Sequence, residues 1–400
     1  MLVDADARHI PLADESVQCC VTSPPYWGLR EYAGLQDQVW KDGWCGQLGL
    51  EPTPQMYVDH LVQIFREVRR VLRQDGTCWI VLGDSYAATT KGSGGYNPKQ
   101  DRNRGSWHNE RSWQIPNGLK PKDLCGIPWR VAFALQADGW WLRSDCIWSK
   151  PNPMPESVTD RPTKAHEYVF LLAKSERYFY DVMAIAEPAV HAGEVRITSP
   201  SGFARQAVGL GIKPTGNAVV GSRVHIGSTR NCRSVWEIAT QAYGGTHFAT
   251  YPEELPRRCI KAGTSECGGC RFCGAPWERI THSSVRFESG SGRSGNPPAG
   301  KWLGSGQDTS GSYDIRMGPV VESPTIGWSP TCRCRNQHGR TVPQLVLDPF
   351  GGSGTTARVA IQLGRKAMSL DLSYHNLAKK RTSSVQRELL MPYALREVAV

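Results

Sequence analysis

From Leu345 to Asp371 the chain reads strand, glycine loop, helix, strand, acid, and few folds accept that order. Leu345-Val-Leu-Asp348 is an apolar run closed by a carboxylate, and Gly351, Gly352 and Gly354 let the backbone after it turn tightly against a ligand. Thr355 opens a helix predicted to run through Leu363, and Lys366 to Leu370 reads as a second strand ending at Asp371. A unit of this kind holds a nucleoside, with the second acid on ribose hydroxyls and the loop amides near the polar tail. The fold class is therefore α/β. Gly352-Ser-Gly354-Thr-Thr-Ala357 also fits the dinucleotide pattern Gly-x-Gly-x-x-Ala, so a nicotinamide enzyme is the first competing reading.

A companion motif argues against hydride transfer. Thr22-Ser23-Pro24-Pro25-Tyr26-Trp27 closes the apolar run Val17 to Val21, which places it at the rim of a sheet. The two prolines lack N–H groups, so the carbonyls before and within the pair are left to accept hydrogen bonds from a ligand, and Tyr26 offers a flat face beside them. Acceptors next to an aromatic plate suit a planar heterocycle bearing an amino group, lifted out of a nucleic-acid stack.

Charge placement points the same way. The chain has 400 residues, 40% of them hydrophobic, with a net charge of +10. Lys91 to Lys122 holds seven basic residues against Asp101 and Glu110, and Val190 to Trp236 holds six against Glu194 alone, so these stretches carry the whole excess. The first interleaves Arg102, Arg104 and Arg111 with Trp107, His108 and Trp113, a pattern that attracts phosphates and exposed bases. There is no run of about 18 apolar residues, and Asp4, Asp6 and Arg8 stand where a signal peptide would be apolar. A soluble, cytoplasmic chain with no membrane partner is the expectation.

Taken in order, the remaining predicted elements are a strand at Met1 to Val3, a helix from Met56 to Leu72 stopped by Asp75-Gly76, and a strand from Cys78 to Leu82. A helix from Trp129 to Ala137 ends at Gly139, strands span Leu142 to Trp148 and Glu167 to Leu172, and a short helix spans Pro252 to Ala262. The polar and apolar alternation of the Leu142 and Glu167 strands suits an antiparallel edge. The expected segments are 1–90 and 123–189 as the catalytic half, 91–122 and 190–236 as basic insertions, 237–262 as a cofactor-contacting segment, 263–341 as a cysteine-bearing insertion and 342–400 as the cofactor-binding half.

Thirteen cysteines occur in a chain without a secretory signal, where close pairs read as a metal site before a disulfide framework. Cys270-Arg-Phe-Cys273-Gly and Cys332-Arg-Cys334 supply four thiolates, enough for a closed tetrahedral structural zinc in a small zinc-ribbon-like insertion. Cys267 or His338 could replace one of them.

With both loops in hand, the chain resembles the S-adenosylmethionine-dependent DNA amino-methyltransferases of the beta group, in which the catalytic motif precedes the glycine loop. Asp4-Ala-Asp6, Trp148-Ser-Lys150-Pro-Asn152 and His247-Phe248-Ala-Thr-Tyr-Pro252-Glu-Glu-Leu extend the resemblance over most of its length. It implies a Rossmann-like, doubly wound, mostly parallel sheet with antiparallel edge strands. It implies that Ser23 and the carbonyl of Pro24 accept hydrogen bonds from the target amino group, with Pro25 holding the loop and Tyr26 stacking on the flipped base. Phe350, Gly352 and Gly354, flanked by Asp348 and Thr355, would line S-adenosylmethionine; Asp371 would bind its ribose, Asp6 its adenine, and Phe248 and Pro252 its methionine end. Val-Thr-Ser-Pro-Pro-Tyr is the form associated with cytosine N4 methylation, adenine enzymes more often carrying Asp or Asn at the serine. Double-stranded DNA is the implied partner; a homodimer and a cognate restriction endonuclease stay open, as does a non-catalytic DNA-binding protein on a methyltransferase scaffold.

Overall fold

The structure, a computed structural model, describes residues 2–28, 32, 35–87, 115, 118–190, 195–197, 223–225, 228–241, 250–282, 284–286, 320–334, 341–372, 375–383 and 385. Most of both basic stretches, Phe248 and His338 lie outside the described residues. The chain divides into two compact units, Met1–Ala184 with Arg233–Glu278 and Pro330–Val400, and Ile185–Cys232 with Arg279–Ser329.

The first unit is built on an eight-stranded sheet. Its strands are β1 (Leu2–Val3), β2 (Val17–Thr22), β3 (Leu72–Leu82), β4 (Trp141–Ser149), β5 (His166–Ala173), β6 (Val235–Glu237), β7 (Leu345–Asp348) and β8 (Lys366–Leu370). Across the sheet they run β1-β8-β7-β2-β3-β5-β4-β6. β5 pairs antiparallel with both β3 and β4, while the other pairs are parallel. The antiparallel pair thus lies at the expected end of the sheet, with one addition: β6 pairs outside β4 and forms the actual edge.

Among the described residues five α-helices cover the sheet: α1 (Pro54–Val71), α2 (Ile127–Ala137), α3 (Glu254–Gly263), α4 (Thr355–Gln362) and α5 (His375–Ser383). Thr53 caps α1, its Oγ1 accepting from Met56 N at 3.2 Å, Pro54 pre-sets the first turn, and Arg69 and Arg70 lie at the negative end of the helix dipole. Leu61, Ile64, Phe65 and Val68 recur at helical spacing on its buried face, where truncating one to alanine costs about 2–5 kcal/mol. Strand alternation explains the two layers. In β3, Cys78, Ile80 and Leu82 join the core under α1 and α2, whereas Trp79 points the other way and meets Trp236 at 6.0 Å between ring centroids. Buried on both faces, the Cys78–Leu82 end of β3 reads as a continuous apolar run in the sequence.

One expected boundary moves. α1 stops at Val71, and β3 starts at Leu72, taking in the Asp75-Gly76 turn. The register jumps there from Val17 opposite Leu72 to Cys19 opposite Thr77, so the turn residues form an irregularity inside the strand. In the second unit, Glu187–Pro188 pairs with Thr229–Arg230, Val195–Ile197 with Arg223–His225, and Ser284–Arg286 with Val320–Glu322, all antiparallel. Among the described residues no helix is long and apolar enough to cross a membrane.

Candidate active site and metal centre

The two motifs, far apart in sequence, emerge side by side. β2 and β7 are parallel neighbours, Val346 opposite Cys19 and Leu347 opposite Cys20, so both loops leave the same carboxyl edge, where open α/β sheets place ligands. Thr22 Oγ1 donates to Asp348 Oδ1 at 2.6 Å, and Thr356 Oγ1 donates to the carbonyl of Val21 at 3.1 Å. Tyr251 adds its hydroxyl to the same knot, bonded to Thr356 Oγ1 and 3.5 Å from Asp348 Oδ2. Burial pushes the Asp348 carboxyl up to about 6, against the pull of Thr22 and of the Phe350 amide, whose N–H donates at 3.1 Å.

The Ser23-to-Tyr26 loop is held by groups from several elements. Tyr57 of α1 donates its hydroxyl to the carbonyl of Pro25 at 2.7 Å. Trp27 Nε1 donates to the carbonyl of Glu51 at 2.9 Å, and Gly28 N to that of Gly49 at 2.8 Å. Glu51, fully buried, accepts from Gly49 N at 2.8 Å and lies 2.9 Å from Nδ1 of His60, whose Nε2 lies 3.2 Å from Asp42. The His60 ring stacks on Trp40, 3.9 Å between centroids. Tyr26 then reaches across the sheet to β5, donating its hydroxyl to Glu167 Oε2 at 2.7 Å. The other oxygen of Glu167 is bonded to Lys150 Nζ, itself 4.4 Å over the ring of Trp148. Gly83, at the end of β3, makes this reach feasible, since a Cβ there would lie 2.6 Å from Cε2 of Tyr26. Burial, with the adjacent Glu167 charge, raises the Tyr26 phenol well above its usual range and keeps it protonated.

The glycine loop is built locally. Gly354 has a φ of 78° and caps α4, and a Cβ there would press within 3.0 Å of Ala378. A Cβ on Gly351 would lie 1.7 Å from Ser369 Oγ. Gly352 N donates to Asp371 Oδ2 at 2.8 Å, and Gly351 N to the carbonyl of Leu370 at 2.8 Å. Arg381 of α5 braces the loop, its Nη1 donating to Ser353 Oγ at 2.6 Å and to Thr355 Oγ1 at 3.1 Å. A tight glycine turn against an acid at the end of the next strand fits the ribose of S-adenosylmethionine. Pro252 is buried just before α3, its carbonyl accepting from Leu255 N at 3.1 Å. Asp6 forms an ion pair with Arg8 at 2.6 Å. Burial works against its charge, but the bonds from Arg8 hold the carboxyl below the usual range.

The four cysteines named from the sequence converge within the first unit. The Sγ atoms of Cys270, Cys273, Cys332 and Cys334 all lie within 4.8 Å of one another, close to the edge of about 3.8 Å that a tetrahedron with 2.3 Å Zn–S bonds requires. Burial disfavours the Cys270 thiolate, yet backbone amides including that of Phe272, 3.4 Å from its sulfur, bring the thiol down to about 7. The donor set fits zinc. Cys267 lies apart, its thiol 3.9 Å from Thr341 Oγ1, and the Arg73 guanidinium ties the knuckle to β3 through the Cys273 carbonyl at 2.6 Å.

Sequence reasoning missed Glu167, Tyr57, Glu51 and His60, and gave Lys150 no role beyond its place in a family motif. Glu167 carried a usable signal, a charged residue in a strand just ahead of the buried run Val169 to Ala173.

Comparisons with known proteins identify the family. Residues 17–270 and 340–380 match the DNA methylase family of N6 and N4 enzymes. The Type II methyltransferase M.XycI of Xanthomonas campestris pv. cyanopsidis is 45% identical over 66% of this chain and 72% of its own length. M.SmaI of Serratia marcescens is 42% identical over 67% and 76%. Among solved structures, the PvuII cytosine-N4-specific DNA methyltransferase is 15% identical, covers 95% of this chain and 85% of its own, and superposes with a TM-score of 0.47. The chain belongs to this DNA methylase family, the S-adenosylmethionine-dependent DNA amino-methyltransferases.

Proposed function

We propose that the protein is a site-specific cytosine-N4 DNA methyltransferase of a Type II restriction-modification system. The observation that carries the choice of base is Ser23. A neutral hydroxyl stands at the amine-accepting position of the rim loop, where an adenine enzyme more often presents Asp or Asn, and it lies 3.4 Å from the Tyr26 hydroxyl. An exocyclic amine is a weak nucleophile because its lone pair is delocalised into the ring. Ser23 Oγ and the Pro24 carbonyl, accepting its hydrogens, favour the pyramidal form as charge develops, and Tyr26 stacks on the flipped base. S-adenosylmethionine supplies the electrophilic methyl; Phe350, Gly352, Gly354 and Thr355 line it, Asp371 takes its ribose, Asp6 its adenine, and Phe248 and Pro252 its methionine end. Asp348 ties that site to the catalytic loop. The basic stretches hold double-stranded DNA, and the protein works in the cytoplasm. Sequencing of DNA from cells making the protein, with mass spectrometry of its nucleosides, is expected to show N4-methylcytosine at one short site; N6-methyladenine there would reassign the base.

Cys270, Cys273, Cys332 and Cys334 are assigned to a structural zinc. The two pairs lie on either side of Arg279–Ser329 in the sequence, and an ion held by both would link them within the first unit. Elemental analysis should find about one zinc per chain, lost in Cys270→Ser while cofactor binding survives. Full occupancy in that variant would mean other ligands.

A further inference from the structure

Methylating an amine releases a proton, and the geometry of β5 says where it goes. Ser23 Oγ donates to the Tyr26 hydroxyl at 3.4 Å, and Tyr26 donates to Glu167 Oε2 at 2.7 Å, so each donor points from the amine-binding end of the loop towards one carboxylate. The first link is long, as catalytic hydrogen bonds often are before substrate binds, and the second is charge-assisted. Glu167 is enclosed, its side chain 16% exposed, so a proton reaching it has entered the protein rather than bulk water. The charged groups around it are Lys150, bonded to its second oxygen, and Lys164, which donates to the carbonyl of Asp84 at 2.8 Å and whose ammonium burial holds below its usual range. The carboxylate of Asp84 on β3's terminal turn accepts from Ile127 N at 3.0 Å and so belongs to the frame, not to the path.

We propose that Ser23, Tyr26 and Glu167 form a proton relay that takes the departing proton of the target amine to the Glu167 carboxylate. This rests on reading Ser-Pro-Pro-Tyr as the amine-binding loop. The amine lone pair forms the N–CH3 bond while the C–S bond breaks with its electron pair on sulfur. The positive charge passes to the amine nitrogen, which keeps the N–H pair as its proton moves to Ser23 Oγ. The Ser23 proton moves to the Tyr26 oxygen and the Tyr26 proton to Glu167, which becomes a neutral acid and later returns the proton to solvent. No oxidant or reductant is involved. The Tyr26 phenol suits a relay because it stays protonated until a second proton arrives. Lys150 is ion-paired with the other oxygen of the acceptor carboxylate.

Tyr26→Phe keeps the ring and removes the relay oxygen; Glu167→Gln keeps an acceptor for the Tyr26 hydroxyl and removes the proton acceptor. Each should slow single-turnover methylation of a cognate duplex by about 10²-fold, the scale of a lost general base. Binding of S-adenosylmethionine by calorimetry, and cofactor-free binding of a duplex with a fluorescent base analogue at the target, should stay within about two-fold of the parent. Glu167→Ala should regain at least about ten-fold in rate with added formate and none with chloride, because formate can take the relayed proton. Tyr26→Phe at the parental rate overturns the relay, as does Glu167→Gln whose lost rate is matched by lost base binding, or an absence of formate rescue. If Glu167→Gln fails to bind cofactor through misfolding, Tyr26→Phe decides alone. Ser23→Ala inactive beside a fully active Tyr26→Phe would sink the relay and leave the loop reading standing. A parent protein that produces no N-methylated base sinks the loop reading itself.

Discussion

The two loops at the carboxyl edge are anchored in opposite ways. The glycine loop leans on its own neighbourhood: Gly352 bonds to Asp371, 19 residues on, and Arg381, 28 residues from Ser353, braces it from α5. The Ser-Pro-Pro-Tyr loop leans on distant chain. Tyr57, 32 residues from Pro25, fixes its carbonyl, and Glu167, 141 residues from Tyr26, takes its hydroxyl. A cofactor shared by a whole family can be held by a self-contained βαβ unit. On the proposed reading the acceptors and the stacking plate for the target base share one turn, and that turn is held in place by Tyr57 and Glu167 from other elements. Thr22 and Asp348, 326 residues apart, are the joint between the two.

The sharpest separation of the loops is Tyr26→Ala. It should lower methylation by about two orders of magnitude or more while leaving S-adenosylmethionine affinity within a few-fold, since the ring is assigned to the base and not to the cofactor. Near-parental turnover on cognate DNA would erase the division of labour.

The joint itself has a pH signature. The folded carboxyl of Asp348 sits at about 6, above its ordinary value of 3.8, so ionisation disfavours the fold. Below the ordinary value both states are protonated and there is no penalty. As pH rises through the window from 3.8 to about 6 the penalty grows, and above it the penalty is complete, at about 3 kcal/mol for a shift of roughly two units. Asp348→Asn should therefore lose less stability than the parent between pH 4 and 7, with Thr22 still able to donate to the amide oxygen. Parallel Tm–pH curves for the two proteins would show that Asp348 is not held up.

On the glycine-loop side, Asp371→Ala should weaken cofactor binding by about 1.5–3 kcal/mol, the worth of hydrogen bonds to a charged group. Calorimetry checks this, and binding of the base analogue should stay unchanged. Tight binding of a nicotinamide dinucleotide instead would overturn the cofactor assignment.

The smallest effect is expected from Tyr57→Phe, which removes one hydrogen bond to the Pro25 carbonyl and should cost about 1 kcal/mol of stability. The turnover number should fall with it while cofactor affinity holds. A loss of cofactor affinity equal to the loss of turnover would mean that the loops respond as one body.

The features legible in the residues follow from short-range physics. Glycines 351, 352 and 354 between two apolar runs, each closed by an acid, dictate the nucleoside loop because sterics and chain connectivity act within a few residues, and β8 appears where it was read, at Lys366–Leu370. The Ser-Pro-Pro-Tyr turn and the two cysteine pairs were legible for the same reason, although only the folded chain brings four sulfurs within 4.8 Å. The end of α1 was misplaced because pairing with Val17 draws Leu72 into the sheet, which no local propensity records. Tertiary structure alone decided that β2 and β7 lie side by side, that Glu167 meets Tyr26, and that β6 closes the edge. Those contacts depend on strand order, and strand order is set by how the helical layers bury both faces of the sheet, a balance summed over the whole chain.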